Sequence, residues 1–194
     1  LMLYGHRSGW VKQQNRWVVK PINEEVERLG LHPAADVELA VPVRPMKFAM
    51  VAGNIGNVRA LIAAELFTLK PHGETPLYYA LTEALQSFDR ELPGPKHVIA
   101  ITDGENSQTR GDGAPPEVIR TNDDVHQMLR NLRSRAQIDI ILFGDASDAG
   151  RAELVKIARD PNSGGDFHAA AKPETLTQAL RDSLRLVKYS VFKA

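Results

Sequence analysis

Two kinds of apolar segment alternate along this chain, and that alternation restricts the fold more than any other feature. His97 to Thr102 and Ile138 to Phe143 are short, largely apolar runs of strand length, the pattern of strands covered on both faces. Around them lie longer segments whose apolar residues recur every three or four positions. One carries Leu77, Leu81, Ala84, Leu85 and Phe88, and another carries Val125, Met128, Leu129, Leu132 and Ala136. Strands and helices joined by short links predict a doubly wound α/β fold, a mostly parallel sheet with helices on both faces. In that architecture ligands bind beyond the C-terminal ends of the strands. The residues that follow each strand are therefore the first candidates for a site.

The same reading extends outward. Leu1 to His6 suits the end of a strand, and residues 8–35 are mixed and polar, broken by Pro21, Gly30 and Pro33, which marks an insertion or long connection. Val37, Leu39, Val41 and Val43 alternate with polar or small residues, and Pro42 places this strand, expected to be antiparallel, at an edge of the sheet. Val58, Leu61, Ile62, Leu66 and Leu69 have helical spacing, stopped by Pro71 and Gly73. Leu154, Ile157 and Ala158 predict a short helix ended by Asp160 and Pro161, Gly165 to Ala169 a last strand, and Pro173 a final helix with Leu176, Leu180, Leu184 and Val187. One domain over residues 1–188 accounts for the pattern. Residues 189–194, where Tyr189 to Phe192 alternate weakly, read as a tail or the start of a following domain.

Composition removes several function classes. The 24 basic and 24 acidic residues cancel, so no global field gathers nucleic acid, which is not an expected partner. The absence of cysteine excludes disulfides, thiolate metal sites and cysteine nucleophiles. No apolar run approaches the roughly 18 residues of a membrane span, so no membrane insertion is expected within this chain, and the compartment is left open. The six histidines show no paired ligand spacing, no Gly-x-Ser-x-Gly elbow is present, and no Walker loop appears. Arg110-Gly111-Asp112 spells an integrin-recognition tripeptide, a triplet that arises easily by chance.

Two motifs carry chemistry. Gly73-Glu74-Thr75-Pro76-Leu77 opens a helix, with Thr75 at the N-cap and Pro76 at the first helical position. Ile101-Thr102-Asp103-Gly104-Glu105 closes a buried strand. A hard cation such as Mg²⁺ takes oxygen ligands in octahedral geometry and keeps several waters, so a carboxylate from Asp103 and a hydroxyl from Thr75 suit a weak, open site that a partner's carboxylate completes. The N-terminus of the helix after Thr75 carries partial positive charge, which further anions must offset. Taken singly, Thr75 is also a competent cap and Asp103-Gly104 a common turn.

Jointly the motifs resemble the von Willebrand factor A family. The matching segments are Leu3-Tyr4-Gly5-His6-Arg7, Asp36 to Pro42, Gly73 to Leu77, Ile101 to Glu105, and Gly164-Gly165-Asp166-Phe167-His168 with the helix behind it, and the resemblance is closest to bacterial members. What it implies is a Rossmann-like domain with a metal-ion-dependent adhesion site, in which Thr75 and Asp103 ligate Mg²⁺ or Mn²⁺ and a protein partner offers an acidic residue. The family's first strand, central in the sheet and ending Asp-x-Ser-x-Ser, is missing, so the site is expected to be incomplete and the sheet centre distorted or repaired. Asp145-Ala146-Ser147-Asp148-Ala149 has the first two elements of that motif but Ala149 in place of the second hydroxyl, and reads as a polar turn and helix start. The resulting expectation is a non-enzymatic protein-interaction module. The alternatives are a Mg²⁺-dependent α/β hydrolase or phosphoryl-transfer domain using Asp103, with Glu105 and Glu74 the acids at hand, and a metal-free scaffold of the same fold.

Overall fold

The computed structural model describes residues 1–5, 8–13, 16–21, 37–40, 49–51, 54–56, 58–68, 75–88, 96–107, 120–132 and 135–191. The chain divides into two compact units, Leu1–Pro76 with Gln108–Ile119, and Leu77–Ser107 with Arg120–Ala194.

The first unit is built from short antiparallel pairs. β1 (Leu3–Tyr4) pairs with β4 (Val37–Glu38), Leu3 opposite Glu38 and Tyr4 opposite Val37. This is the predicted antiparallel strand, two residues long, while Val41, Pro42 and Val43 lie outside the described residues. The stretch read as a long connection contains a hairpin, β2 (Ser8–Gln13) against β3 (Arg16–Pro21), with Trp10 opposite Val19 and Lys12 opposite Trp17. Aromatic and β-branched cross-strand neighbours favour such pairing, a signal that the polar composition of the segment concealed. A second unpredicted hairpin joins β5 (Ala49–Val51) to β6 (Asn54–Gly56). α1 (Val58–Thr68) follows as expected; of its predicted apolar positions Ile62 is half-buried and Leu66 half exposed, and Phe67, which is not on that stripe, is 92% exposed.

The second unit holds the predicted core. α2 (Leu77–Gln86) leads to β7 (Lys96–Thr102), α3 (Asn122–Asn131), β8 (Ala136–Leu142), α4 (Asp148–Ala158), β9 (Phe167–Ala169) and α5 (Pro173–Val191). The three strands form a parallel sheet in the order β7-β8-β9, with Val98 opposite Ile138, Thr102 opposite Leu142 and Ile140 opposite Phe167. Among the described residues the strands fall into four separate sheets rather than one continuous sheet.

Alternation along β8 explains the layers. Ile141 packs with Ala170 and Ala179, flanked by Ile99, Phe143, Leu176 and Leu180, which places α5 over one face. Ile138, Ile140 and Leu142 point the other way and are fully buried, as are Leu77, Leu81 and Leu85 of α2, Val125 of α3, and Leu154 and Ile157 of α4. Each such side chain stabilises the fold by about 1.5–3 kcal/mol relative to exposure. β8 is thus covered on both faces as the sequence predicts. β7 is not, since Ile101 remains 43% exposed. On α5 Leu176 and Leu180 of the predicted stripe pack beside buried Ala179 and Ser183, whereas Leu184 is 55% exposed and departs from it. Its helical conformation continues to Val191, so Tyr189 to Val191 extend the last helix as a tail rather than open a strand, and Phe192 lies outside the described residues.

The local signals that start these elements are legible in hydrogen bonds. Thr121 and Asp124 form both halves of a capping box on α3, the Thr121 hydroxyl accepting from the Asp124 amide and the Asp124 carboxylate from the Thr121 amide. Ser147 caps α4 by accepting from the Gly150 amide at 3.1 Å, the turn and helix-start role that its sequence suggests. Ala136, read from sequence as the end of the α3 stripe, instead opens β8.

Candidate functional site

The loop that follows β7 is the best-defined feature at the C-terminal rim of the parallel sheet. Pairing continues past the strand ends, the Phe143 amide donating to the Thr102 carbonyl at 2.7 Å, and this brings Asp103 beside Gly144. Gly144 has φ +139°, and a Cβ built there would stand 2.6 Å from the Asp103 carbonyl oxygen. Only glycine fits both the conformation and the space. The Thr102 hydroxyl, itself buried, donates to the Gly104 carbonyl at 2.9 Å and closes the turn below Asp103.

Two further residues tie this loop to helix starts. Asn106 Oδ1 accepts the Tyr78 amide at 2.9 Å, satisfying one of the N-terminal donors of α2 that have no partner within the helix. Glu105 Oε1 accepts the Ser147 amide just before α4, where the partial positive charge of the helix end favours a carboxylate. The bonds from Ser147 hold the Glu105 carboxyl below its ordinary range. The Tyr78 hydroxyl donates to Glu153 on α4. Burial first, then the Glu153 bond and the charges of Glu153 and Glu105, push the Tyr78 hydroxyl far above its usual value.

Asp103 itself is exposed, and among the described residues its carboxylate has no ion-pair or hydrogen-bond partner. The same residues contain no cluster of three or more His, Asp or Glu side chains placed to hold a metal. A cation at Asp103 would be held by one protein carboxylate with hydroxyls and water, the oxygen-rich, weakly charged donor set that suits Mg²⁺.

The family model for the von Willebrand factor type A domain matches residues 53–182, about two thirds of the chain. The chain belongs to this family. No curated protein and no solved structure matches it. Von Willebrand A domains have a Rossmann-like α/β fold and generally serve as protein-interaction or adhesion modules, usually without enzymatic activity. The match begins after β4, so it covers Thr75, Asp103 and the whole parallel sheet, whereas Leu3 to Arg7 and Asp36 to Pro42 precede it.

Of the sequence-predicted site residues, Asp103 lies on the rim as expected, at the C-terminal end of β7. Thr75 is half-buried and belongs to the first unit, while Asp103 belongs to the second. α2 begins at Leu77, one residue later than predicted, so Pro76 rather than Thr75 directly precedes the helix, and the amide of Tyr78 is taken by Asn106. Gly73, Glu74 and Arg110 to Asp112 lie outside the described residues.

Sequence reading missed two features of this von Willebrand A domain. One is Asn106, whose only signal is a short polar side chain three positions after a strand-ending aspartate. The other is a polar group under α5. Asp139, fully buried on the central strand, accepts from Gln137 Nε2 at 3.1 Å and from the Asp166 amide at 2.9 Å, and its second oxygen lies 3.2 Å from His97 Nε2 in an ion-pair contact without the alignment of a hydrogen bond. Burial alone would raise the Asp139 carboxyl, but His97, Gln137 and the Asp166 amide outweigh it and hold the group well below the usual carboxylate range. In the β7-β8 register His97 lies opposite Gln137 and Asp139 opposite Ile99, so a histidine and an aspartate two register positions apart in two largely apolar runs were the available clue.

Proposed function

We propose that this domain is a cation-dependent protein-binding module in which Thr75 and Asp103 ligate Mg²⁺ or Mn²⁺ and the bound ion receives an acidic side chain from a protein partner. The observation that carries this reading is the exposed Asp103 carboxylate, without a partner among the described residues, on a rim loop of a von Willebrand A domain. Thr75 enters through its motif in the matched segment, with a hydroxyl suited to a hard cation. No Asp-x-Ser-x-Ser sequence occurs among the 194 residues, so the ligands proposed within them are Thr75 and Asp103. The resemblance to bacterial members rests on the Tyr4-Gly5-His6-Arg7 strand end.

The phosphoryl-transfer alternative needs a free base near Asp103. Glu105 is a poor one, because one of its oxygens is taken by the Ser147 amide and the bonds from Ser147 hold its carboxyl below the ordinary range, which lowers its basicity. The experiment is a calorimetric Mg²⁺ and Mn²⁺ titration of the wild-type chain, Thr75→Ala and Asp103→Ala, run beside an assay of generic phosphoester hydrolysis. Saturable binding lost in Asp103→Ala and weakened in Thr75→Ala, with no turnover, is the expected result. Turnover that depends on Asp103 would favour the enzyme, and no cation binding at all would leave a metal-free scaffold.

A further inference from the structure

The Asp103 loop has a latch. Asp103 and Asn106 share one four-residue turn between β7 and Ser107, and within it Asn106 Oδ1 holds the Tyr78 amide at 2.9 Å while Thr102 closes the turn onto Gly104 at 2.9 Å. Tyr78 stands three residues after Thr75 in the chain and opens α2 together with Leu77, both buried. A bond from the side chain of one loop to the backbone of a rigid helix start fixes position as well as stability, since the helix itself is anchored by Leu77, Leu81 and Leu85. A helix N-terminus normally takes its cap from its own chain just upstream. Here the acceptor comes from 28 positions away.

We propose that Asn106 is a positioning residue for the cation site: its bond to the Tyr78 amide sets where the Asp103 carboxylate is presented relative to the start of α2, and cation affinity depends on it. The inference rests on the reading of Asp103 as a cation ligand. Asn106 need not touch the ion. A net hydrogen bond of ordinary strength corresponds to roughly a five- to ten-fold change in an equilibrium. Loss of the latch should therefore weaken the ion by about that factor while the apolar core stays folded.

The test compares wild type, Asn106→Ala, Asn106→Asp and Thr121→Ala, the last removing a cap of similar strength from α3. Two readouts are taken on each full chain: Mn²⁺ affinity, and amide exchange of Gly104 and Tyr78 in cation-free buffer. Asn106→Ala should lose protection at both amides and bind Mn²⁺ about five- to ten-fold more weakly, and Asn106→Asp, which keeps an oxygen acceptor, should restore protection. Thr121→Ala should lower Tm and leave Mn²⁺ affinity within about two-fold. Unchanged exchange and affinity in a folded Asn106→Ala protein, or an equal affinity loss in Thr121→Ala, would overturn the proposal. Should Asn106→Ala not fold, Asn106→Ser, with a shorter acceptor, is expected to show the same losses in smaller measure, and wild-type behaviour in it would overturn the latch. Absence of Mn²⁺ binding in the wild type would defeat the cation reading, and the exchange data would still decide whether the latch exists.

Discussion

Asp139 is an ionised carboxylate in the middle of the central strand, and its neighbours explain why it is tolerated there. One oxygen has two aligned donors and the other faces His97, so the burial cost is offset by contacts from β7, β8 and the segment entering β9. Removing the charge leaves those donors unpaired in the core. Asp139→Ala should therefore destabilise the domain by about 3–5 kcal/mol, read from the urea midpoint. Gly144 makes a different kind of demand. Any side chain there meets the Asp103 carbonyl and a left-handed φ, and Gly144→Ala should cost about 1–3 kcal/mol, with the Asp103 and Gly104 amide resonances displaced in the same variant.

At the scale of elements, stability in the parallel unit rests on caps and stripes that mostly agree with one another. The α3 capping box is the clearest case, and Thr121→Ala should lower stability by about 1 kcal/mol in thermal or urea unfolding. These elements were also the most legible in sequence. The α2 leucines, the β8 run and the Thr121 to Asp124 spacing each carry a periodic or local signal strong enough to survive tertiary packing. The hairpins β2-β3 and β5-β6 were not read because their strands are short and punctuated by polar residues, and pairing is decided across the turn rather than within either strand. The α5 stripe is legible at Leu176 and Leu180, while small residues, Ala179 and Ser183, take the innermost positions and Leu184 stands outside. Asp103 was legible because a strand-ending Asp-Gly is a local pattern. Asn106 was not, since its role depends on a contact that only folding creates.

For the molecule as a whole, charge rather than added hydrophobic area sets the response to pH. Asp139, Asp160 and Asp166 all have carboxyls held below their ordinary value of 3.8. In each case burial works against ionisation and is outweighed, for Asp160 by the Asn162 amide and His126, and for Asp166 by the Phe167 amide and Arg159. Between the folded and ordinary values the unfolded chain binds more protons, so stability rises with pH there. Their contribution should be complete above about pH 5 and lost as pH falls through 4 and below, seen as a falling urea midpoint. Tyr78 acts in the opposite direction. Its raised value means that the folded state keeps the proton longer, and its contribution is lost as pH rises beyond the ordinary tyrosine value near 10. Among the described residues no helix is long and apolar enough to cross a membrane.

The central claim is that a divalent cation binds at Asp103 in this von Willebrand A domain. Paramagnetic broadening by Mn²⁺ tests it most directly, because the loss of amide signals maps the ion's position residue by residue. Substoichiometric Mn²⁺ added to the ¹⁵N-labelled chain should erase the resonances of Asp103 and Gly104 first, with Thr75 among the next affected, and Asp103→Ala should abolish the effect. Broadening that spreads evenly over the acidic surface, or that centres elsewhere and survives Asp103→Ala, would contradict the account.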